Sequence, residues 1–252
     1  MTGTSASFIF PDWPAPKSVK AVCTTRMGGV SAPPYDAFNF ADHVGDSVGS
    51  VQENRRRLGQ QLGLPAEPVW LQQVHGVQVI DAKHAVDNKA DGSFCASAAV
   101  VCVVLTADCL PVLLCDRDAG VVAALHAGWR GLAAGIIESG VTAMGLPGDS
   151  LMAWLGPAIG PQAFVVGDEV RDVFIQASPL SRHAFKAVNK SADPIGVWLV
   201  DLYALARQRL NALGVEAVYG GDDCSYTDAR KFYSYRRDKT CGRMASLIWI
   251  EP

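Results

Sequence analysis

Three apolar runs in the middle of the chain constrain its fold more than any other feature. They are Ala99 to Leu105, Val112 to Cys115 and Gly120 to Leu125. Each is Val- or Leu-rich and lacks the polar-apolar alternation of a strand with one wet face. Runs of this length, apolar on both faces, suit strands buried between two layers. The chain around them supplies more strands. Lys20 to Thr25 reads as one, followed by a Gly28-Gly29 turn, as do Val69 to Leu71, Val77 to Ala82, Val215 to Tyr219 and Ala245 to Ile250. Ser50 and Glu53 have capping-box spacing and predict a helix to Leu62, stopped by Gly63. A second helix is predicted over 131–144, ending at Gly145. A third starts from an N-cap at Asp201 and carries Leu202, Leu205, Ala206, Leu210 and Leu213 at helical spacing, with Gly214 after it. Strands dominate and the helices are irregularly placed. That pattern predicts an α+β fold, a layered α/β sandwich of mixed sheets with flanking helices, and not a barrel or a Rossmann domain.

The chain has 252 residues and shows no repeat, low-complexity tract or long linker, so residues 1–252 read as one domain. Hydrophobic residues make up 49% and charged residues 19%, which argues against disorder. Lys and Arg number 22 against 25 Asp and Glu, a net charge of 22 − 25 = −3. No basic surplus exists for a nucleic-acid partner. The longest apolar stretch, Ala98 to Cys115, contains Asp108 and Pro111 and does not read as a membrane span. Met1 to Pro11 lacks the features of a signal peptide. Seven cysteines, an odd number spread along the chain, point to reduced thiols in the cytoplasm.

Three segments carry the chemistry: Leu71-Gln72-Gln73-Val74-His75-Gly76, Thr106-Ala107-Asp108-Cys109-Leu110-Pro111 and His126-Ala127-Gly128-Trp129-Arg130-Gly131. Each lies at the end of a predicted strand, and strand ends converge on one edge of a sheet. The separations, 34 and 17 residues, are not those of a structural zinc finger. Three ligands from three segments fit a catalytic zinc site with one position open. Taken singly, each residue also has a structural reading: a hydrogen-bonded His at a strand end, a packed thiol, a Trp plugging a turn.

These segments belong to a longer set of motifs. Others are Thr25-Arg26-Met27-Gly28-Gly29-Val30-Ser31, Asn39-Phe40, Val44-Gly45-Asp46, Asn54-Arg55 and Ala90-Asp91-Gly92. Further on come Gly156-Pro157-Ala158-Ile159-Gly160-Pro161, Tyr233-Ser234-Tyr235-Arg236-Arg237-Asp238 and Gly242-Arg243. The whole resembles the YfiH-like family of multicopper polyphenol oxidase, or laccase-domain, proteins, now associated with purine nucleoside phosphorylase activity. The resemblance runs almost end to end; Cys241 before Gly242 departs from it. It implies a metal held by His75, Cys109 and His126, with Zn²⁺ suited to this donor set and Cu²⁺ also accepted. A laccase activity is the lesser reading, because the chain has no His-x-His pair and five histidines cannot build a multicopper cluster.

The resemblance implies a zinc-dependent purine nucleoside phosphorylase with adenosine deaminase and methylthioadenosine phosphorylase side activities. Its partners would be purine nucleosides and phosphate. Arg26, Arg55, Arg130 and Arg243 are candidates for the phosphate, Arg26 together with the Gly28-Gly29 backbone. Asn39, Asp91 and Asp108 are polar candidates for the substrate, and either Asp also reads as a support for a metal-bound His. Trp129, Phe232 and Tyr233 are candidates to stack on a base. The family fold is similar to that of cysteine-hydrolase-like deamidating toxins. This implies an alternative in which Cys109 is a nucleophile, His126 or His75 its base, and the substrate an amide; the resemblance also implies a link to peptidoglycan editing, the removal of misincorporated amino acids from UDP-muramoyl peptide precursors.

Overall fold

The three apolar runs form strands β5 (Val101–Thr106), β6 (Leu110–Asp116) and β7 (Val122–Ala127), each buried along its whole length. The computed structural model describes residues 7–188 and 197–252. In it, β6 and β7 lie at the centre of a six-stranded mixed sheet. Its order is β12 (Ala217–Gly220), β8 (Leu151–Leu155), β6, β7, β4 (Gly92–Cys95), β3 (Val79–Asp81). The two outer pairs are parallel and the inner pairs antiparallel. Strand β5 belongs to a second, antiparallel sheet of order β1 (Phe8–Ile9), β2 (Val19–Thr24), β13 (Met244–Ile250), β5. A small antiparallel sheet joins β9 (Val165–Gly167), β10 (Phe185–Ala187) and β11 (Val197–Val200).

Alternation along each strand then assigns its residues to different cores. Cys102 and Val104 of β5 meet Leu113, Cys115, Val122 and Ala124 between the two large sheets. Val101, Val103 and Leu105 face the other way, onto Phe38 and Phe40 of the preceding loop and Leu58 of helix α1 (Val48–Leu62). On the far side of the six-stranded sheet, Val112, Leu114, Ala123 and Leu125 pack under α3 (Ile136–Met144) and α5 (Leu202–Ala212). The result is the layered α+β sandwich, and the double-sided apolar runs are its two inner sheets. Each fully buried Val or Leu contributes about 1.5–3 kcal/mol, so this partition fixes strand register strongly.

Several local expectations change in the structure. The helix predicted over 131–144 is two helices, α2 (Trp129–Ala134) and α3, because Gly135 between them adopts φ +107°. Helix α1 starts earlier than its expected cap, at Ser47, and Glu53 pairs with Arg56 and Arg57 instead of closing a capping box. Val69 makes only an isolated bridge to Cys102, so 69–71 is not a strand. Strands β4 and β8, the small sheet and helix α4 (Asp168–Ala177) were not expected. The Asp201 cap holds: its carboxylate accepts from Ala204 N–H at 2.9 Å.

Candidate functional site

Cys109 sits in the tight connection by which the chain leaves one sheet at Thr106 and enters the other at Leu110. The residue before it, Asp108, has φ +89°, a strained position for a non-glycine. Its carboxylate offsets that cost by accepting from Ser225 Oγ at 2.7 Å and from Arg236 N–H at 2.6 Å. Its carbonyl accepts from Ile159 N–H.

His126 lies near the end of β7. The register of β4 on β7 pairs Gly92 with Leu125, which sets Asp91 directly across from His126. His126 Nδ1 is 2.8 Å from Asp91 Oδ1, and its backbone N–H donates to the Asp91 carbonyl. The same carboxylate accepts from three successive backbone N–H groups, those of Val74 (3.1 Å), His75 (2.8 Å) and Gly76 (2.6 Å). That cradle holds His75 at φ +61°, a conformation L residues avoid unless surrounding bonds enforce it. One buried carboxylate thus orients His126 through its ring and His75 through its backbone.

The consequence is convergence. The donor atoms of His75, Cys109 and His126 all lie within 4.8 Å of one another. Cys109 Sγ is 3.9 Å from His75 Nε2. A tetrahedral zinc with bonds of about 2.0–2.3 Å would need about 3.5 Å between such atoms, close to what is present. With Nδ1 of His126 committed to Asp91, its Nε2 is the ring nitrogen left to bind a metal, an arrangement common around metal-bound imidazoles. His126 is buried, Cys109 half-buried and His75 exposed, so the site is closed on one side and open on the other. The donor set therefore fits a metal ion. Among the described residues it is the one group of three or more His, Cys, Asp or Glu that converges in this way.

Electrostatics support the same grouping. Burial pushes the Cys109 thiol up, but attraction to His126 and hydrogen bonds with both imidazoles outweigh it and bring it down to about 6. Burial disfavours charge on His126, but the Cys109 charge and the bond to Asp91 outweigh that and raise the imidazole to about 9. Between those values the pair exists as thiolate and imidazolium. The Cys109 contribution to stability is lost as pH falls through about 6, and that of His126 as pH rises through about 9. In between, a proton has only moved from sulfur to nitrogen, so stability is flat. Metal binding is not flat, because His126 must release its proton to offer Nε2. Zinc affinity of chelator-treated protein is expected to rise about tenfold per pH unit over this interval. Equal affinities in zinc titrations at the two ends of the interval would exclude His126 as a ligand.

Gly128 borders the group. A Cβ added there would lie 3.0 Å from Cys109 Sγ and 3.1 Å from His75 Cδ2, while its own backbone (φ −63°) suits any residue. Gly128→Ala is expected to keep stability within about 1 kcal/mol. It should weaken metal binding about 10- to 100-fold by moving two ligands. Thermal melts together with metal titration check both halves.

Two cavities open beside Cys109, of about 360 and 300 Å³. Asp108, Trp129 and Arg130 line the first and Arg243 the second. Arg55 lines a third trough, which continues the second past His43 and Gln73. The other sequence candidates lie elsewhere. Arg26 is held by Asp36 and the Ala229 carbonyl and stacks on Tyr233, and it lines neither cavity. Asn39 is fully buried and spends its amide on Ala41, Asp46 and the Arg243 N–H. Asp91 is 0% exposed, so of its two expected readings only the support of His126 is available to it. Phe232 and Tyr233 are likewise core residues and cannot meet a base. Sequence reasoning missed Phe164, Leu202, Tyr235, Arg236 and Lys239 in the first cavity and His43 in the second. Tyr235 and Arg236 lie in the Tyr233–Asp238 motif; nothing local marked Phe164 or His43.

A β-β sandwich flanked by helices, with a His-Cys-His group at the crossover between its sheets, defines the class of this protein. Residues 20–251 match the family described as multi-copper polyphenol oxidoreductase laccase, and the chain belongs to that family. It is 52% identical over 245 residues to a purine nucleoside phosphorylase of Pseudomonas aeruginosa, covering 97% of this chain and 99% of that protein. It is 49% identical over 247 residues to the purine nucleoside phosphorylase YfiH of Escherichia coli, with coverages of 97% and 99%. The crystal structure of protein NMB0706 from Neisseria meningitidis superposes with a TM-score of 0.93 at 46% identity, over 98% of this chain and 100% of that one. No helix among the described residues is long and apolar enough to cross a membrane.

Proposed function

We propose that the chain is a zinc-dependent purine nucleoside phosphorylase, converting inosine, adenosine or guanosine and phosphate to the free base and ribose 1-phosphate. The observation that carries this reading is the His75, Cys109 and His126 group, open on one side between two cavities. The names of the relatives supply the substrate class. In the reaction a phosphate oxygen forms a bond to C1′ of the ribose as the C1′–N9 bond breaks. The bonding pair leaves with the purine, and the proton lost by phosphate balances the one the purine gains. The chain's contribution is to position: Asp91 fixes both imidazoles, and Arg243 and Arg130 offer guanidinium groups to an anion. A zinc ion bound by His75, Cys109 and His126 would supply Lewis acidity. Copper suits the same donors, and adenosine deamination and methylthioadenosine phosphorolysis are side activities of the same reading. The test is a metal-analysed preparation assayed on inosine with and without phosphate. Phosphate-dependent hypoxanthine release, lost on chelation and restored by zinc, is expected. No phosphate-dependent release would overturn the reading.

One observation favours a second reading. Cys109, His126 and Asp91 are arranged in series as nucleophile, base and orienting carboxylate. That order would serve an amidase acting on UDP-muramoyl peptide precursors, although it leaves His75 without a task. Alkylation separates the two. In the metal reading, iodoacetamide should label Cys109 slowly in zinc-loaded protein and faster after chelation, with activity falling in parallel. Activity on a muramoyl-peptide amide that survives complete metal removal would favour the amidase.

A further inference from the structure

We propose that Tyr235 is a substrate-contacting residue that divides the site, with the purine base bound on its Trp129 and Phe164 side and the phosphate on its Arg243 side. This rests on the phosphorylase reading and assigns the two cavities within it. Tyr235 lines both cavities beside Cys109 and is 53% exposed. Such exposure is unusual for an aromatic ring at the centre of a site, where core packing would hide it. Its position is fixed from behind. It is the first residue of α6 (Tyr235–Asp238), whose cap Ser234 accepts from Arg237 N–H. The next residue, Arg236, donates its backbone N–H to Asp108, the neighbour of Cys109. The ring is therefore anchored to the turn that carries the thiol and remains open to solvent, with the Arg243 guanidinium 5.9 Å from its centre.

The two sides differ in chemistry. On the first, Trp129 and Phe164 form aromatic walls with Ile159 and Leu202 beside them. Each ring carries a cation over it: Arg130 is 4.5 Å from the centre of Trp129, Arg236 5.1 Å from Phe164, and Lys239 5.6 Å from Tyr235. Rings and guanidinium planes in layers form a stacking surface for a flat heteroaromatic base. The cavity of about 360 Å³ lies within the range of small-ligand pockets.

The second side has no such walls. Gln73 lines it, but its amide is consumed by the N–H and C=O of Leu105, at 2.7 and 2.8 Å. The Arg243 guanidinium lies 5.9 Å from the centre of the Tyr235 ring and donates to carbonyls through Nη1 alone, to those of Cys241 and Gly242. Among the described residues no carboxylate pairs with it and no hydrogen bond engages its Nε or Nη2. A guanidinium fixed at one end with its other donors free is suited to a phosphate. Cys109 and His75 border both sides, so a nucleoside with its base on one and phosphate on the other brings C1′ to the ridge between them.

The experiment compares wild type with Tyr235→Leu, Tyr235→Phe and Arg243→Ala, varying inosine and phosphate separately. Thermal melts check that each variant folds. Losing the ring in Tyr235→Leu should raise KM for inosine about 10- to 100-fold and leave KM for phosphate within about twofold, as expected for loss of base stacking. Tyr235→Phe keeps the ring and should restore inosine KM to within about threefold of wild type. Arg243→Ala should raise KM for phosphate and spare that for inosine. Calorimetric binding of hypoxanthine, weakened in Tyr235→Leu and retained in Arg243→Ala, gives the same answer without turnover. If wild type neither binds hypoxanthine nor cleaves inosine, the phosphorylase reading itself has failed. If wild type is active but the two KM effects are exchanged, or Tyr235→Leu changes neither, the assignment of the two sides is overturned.

Discussion

Cys109→Ala is expected to abolish metal binding and to lower phosphate-dependent cleavage of inosine by at least about 10³-fold. The thiolate is the only anionic donor in the group, and two imidazoles alone hold zinc poorly. The variant also removes the charge that keeps His126 protonated, so the imidazole reverts toward its ordinary range or below it in a buried position. The fold should survive. Cys109 lies in a turn at the edge of the sandwich and belongs to none of the three apolar clusters, so the stability loss should stay within about 1 kcal/mol. Elemental analysis, inosine turnover and a denaturation curve on one preparation check all three statements. Full metal content with full turnover would make Cys109 a structural thiol.

The sandwich was legible because its inner strands have no polar face to hide their burial. Ala99 to Leu105 and Val112 to Cys115 read as doubly covered; Val101 to Leu105 and Val112 to Cys115 are, while Ala99 and Val100 lie before the strand and are half-buried. Strand β4 was not legible, since Gly92-Ser93-Phe94-Cys95 has neither length nor β-branched residues and is held in place by its neighbours. The break at Gly135 was hidden for a related reason: α2 and α3 both satisfy helical spacing, and one positive φ between them leaves no periodic mark. At the site, the sequence offered His75, Cys109 and His126 as three strand-end residues, and the structure brings them together. What it could not offer was the partner of each Arg. Arg26 and Arg243 look alike in sequence; one is neutralised by Asp36 and the other is not. The roles of Phe164 and Tyr235 depend on contacts across more than 50 residues, which no local pattern encodes.

Asp91→Ala should have the largest effect on the protein as a whole, costing about 3–5 kcal/mol of stability and reducing metal affinity about 10- to 100-fold. The carboxylate has four partners, the ring of His126 and the N–H groups of residues 74, 75 and 76, and it is fully buried. Alanine leaves Nδ1 of His126 without its acceptor in the interior and releases the turn that holds His75 in a left-handed conformation. Asp91→Asn is the sharper probe, because it keeps the volume and one acceptor but turns an NH₂ group toward donors. Burial alone would raise the Asp91 carboxyl, but the bonds from His126, Gly76 and Val74 prevail and hold it below its usual value. A depressed carboxyl stabilises the fold above its unfolded pKa, near 4, and that contribution is lost as pH falls through the folded value. The stability gap between wild type and Asp91→Asn should therefore shrink below about pH 5, and shrink again as pH rises toward about 9, where His126 gives up the proton that Asp91 favours. Urea titrations at a series of pH values measure it. A gap that does not change with pH would mean that Asp91 acts by filling space, and the orientation of both imidazoles would need another cause.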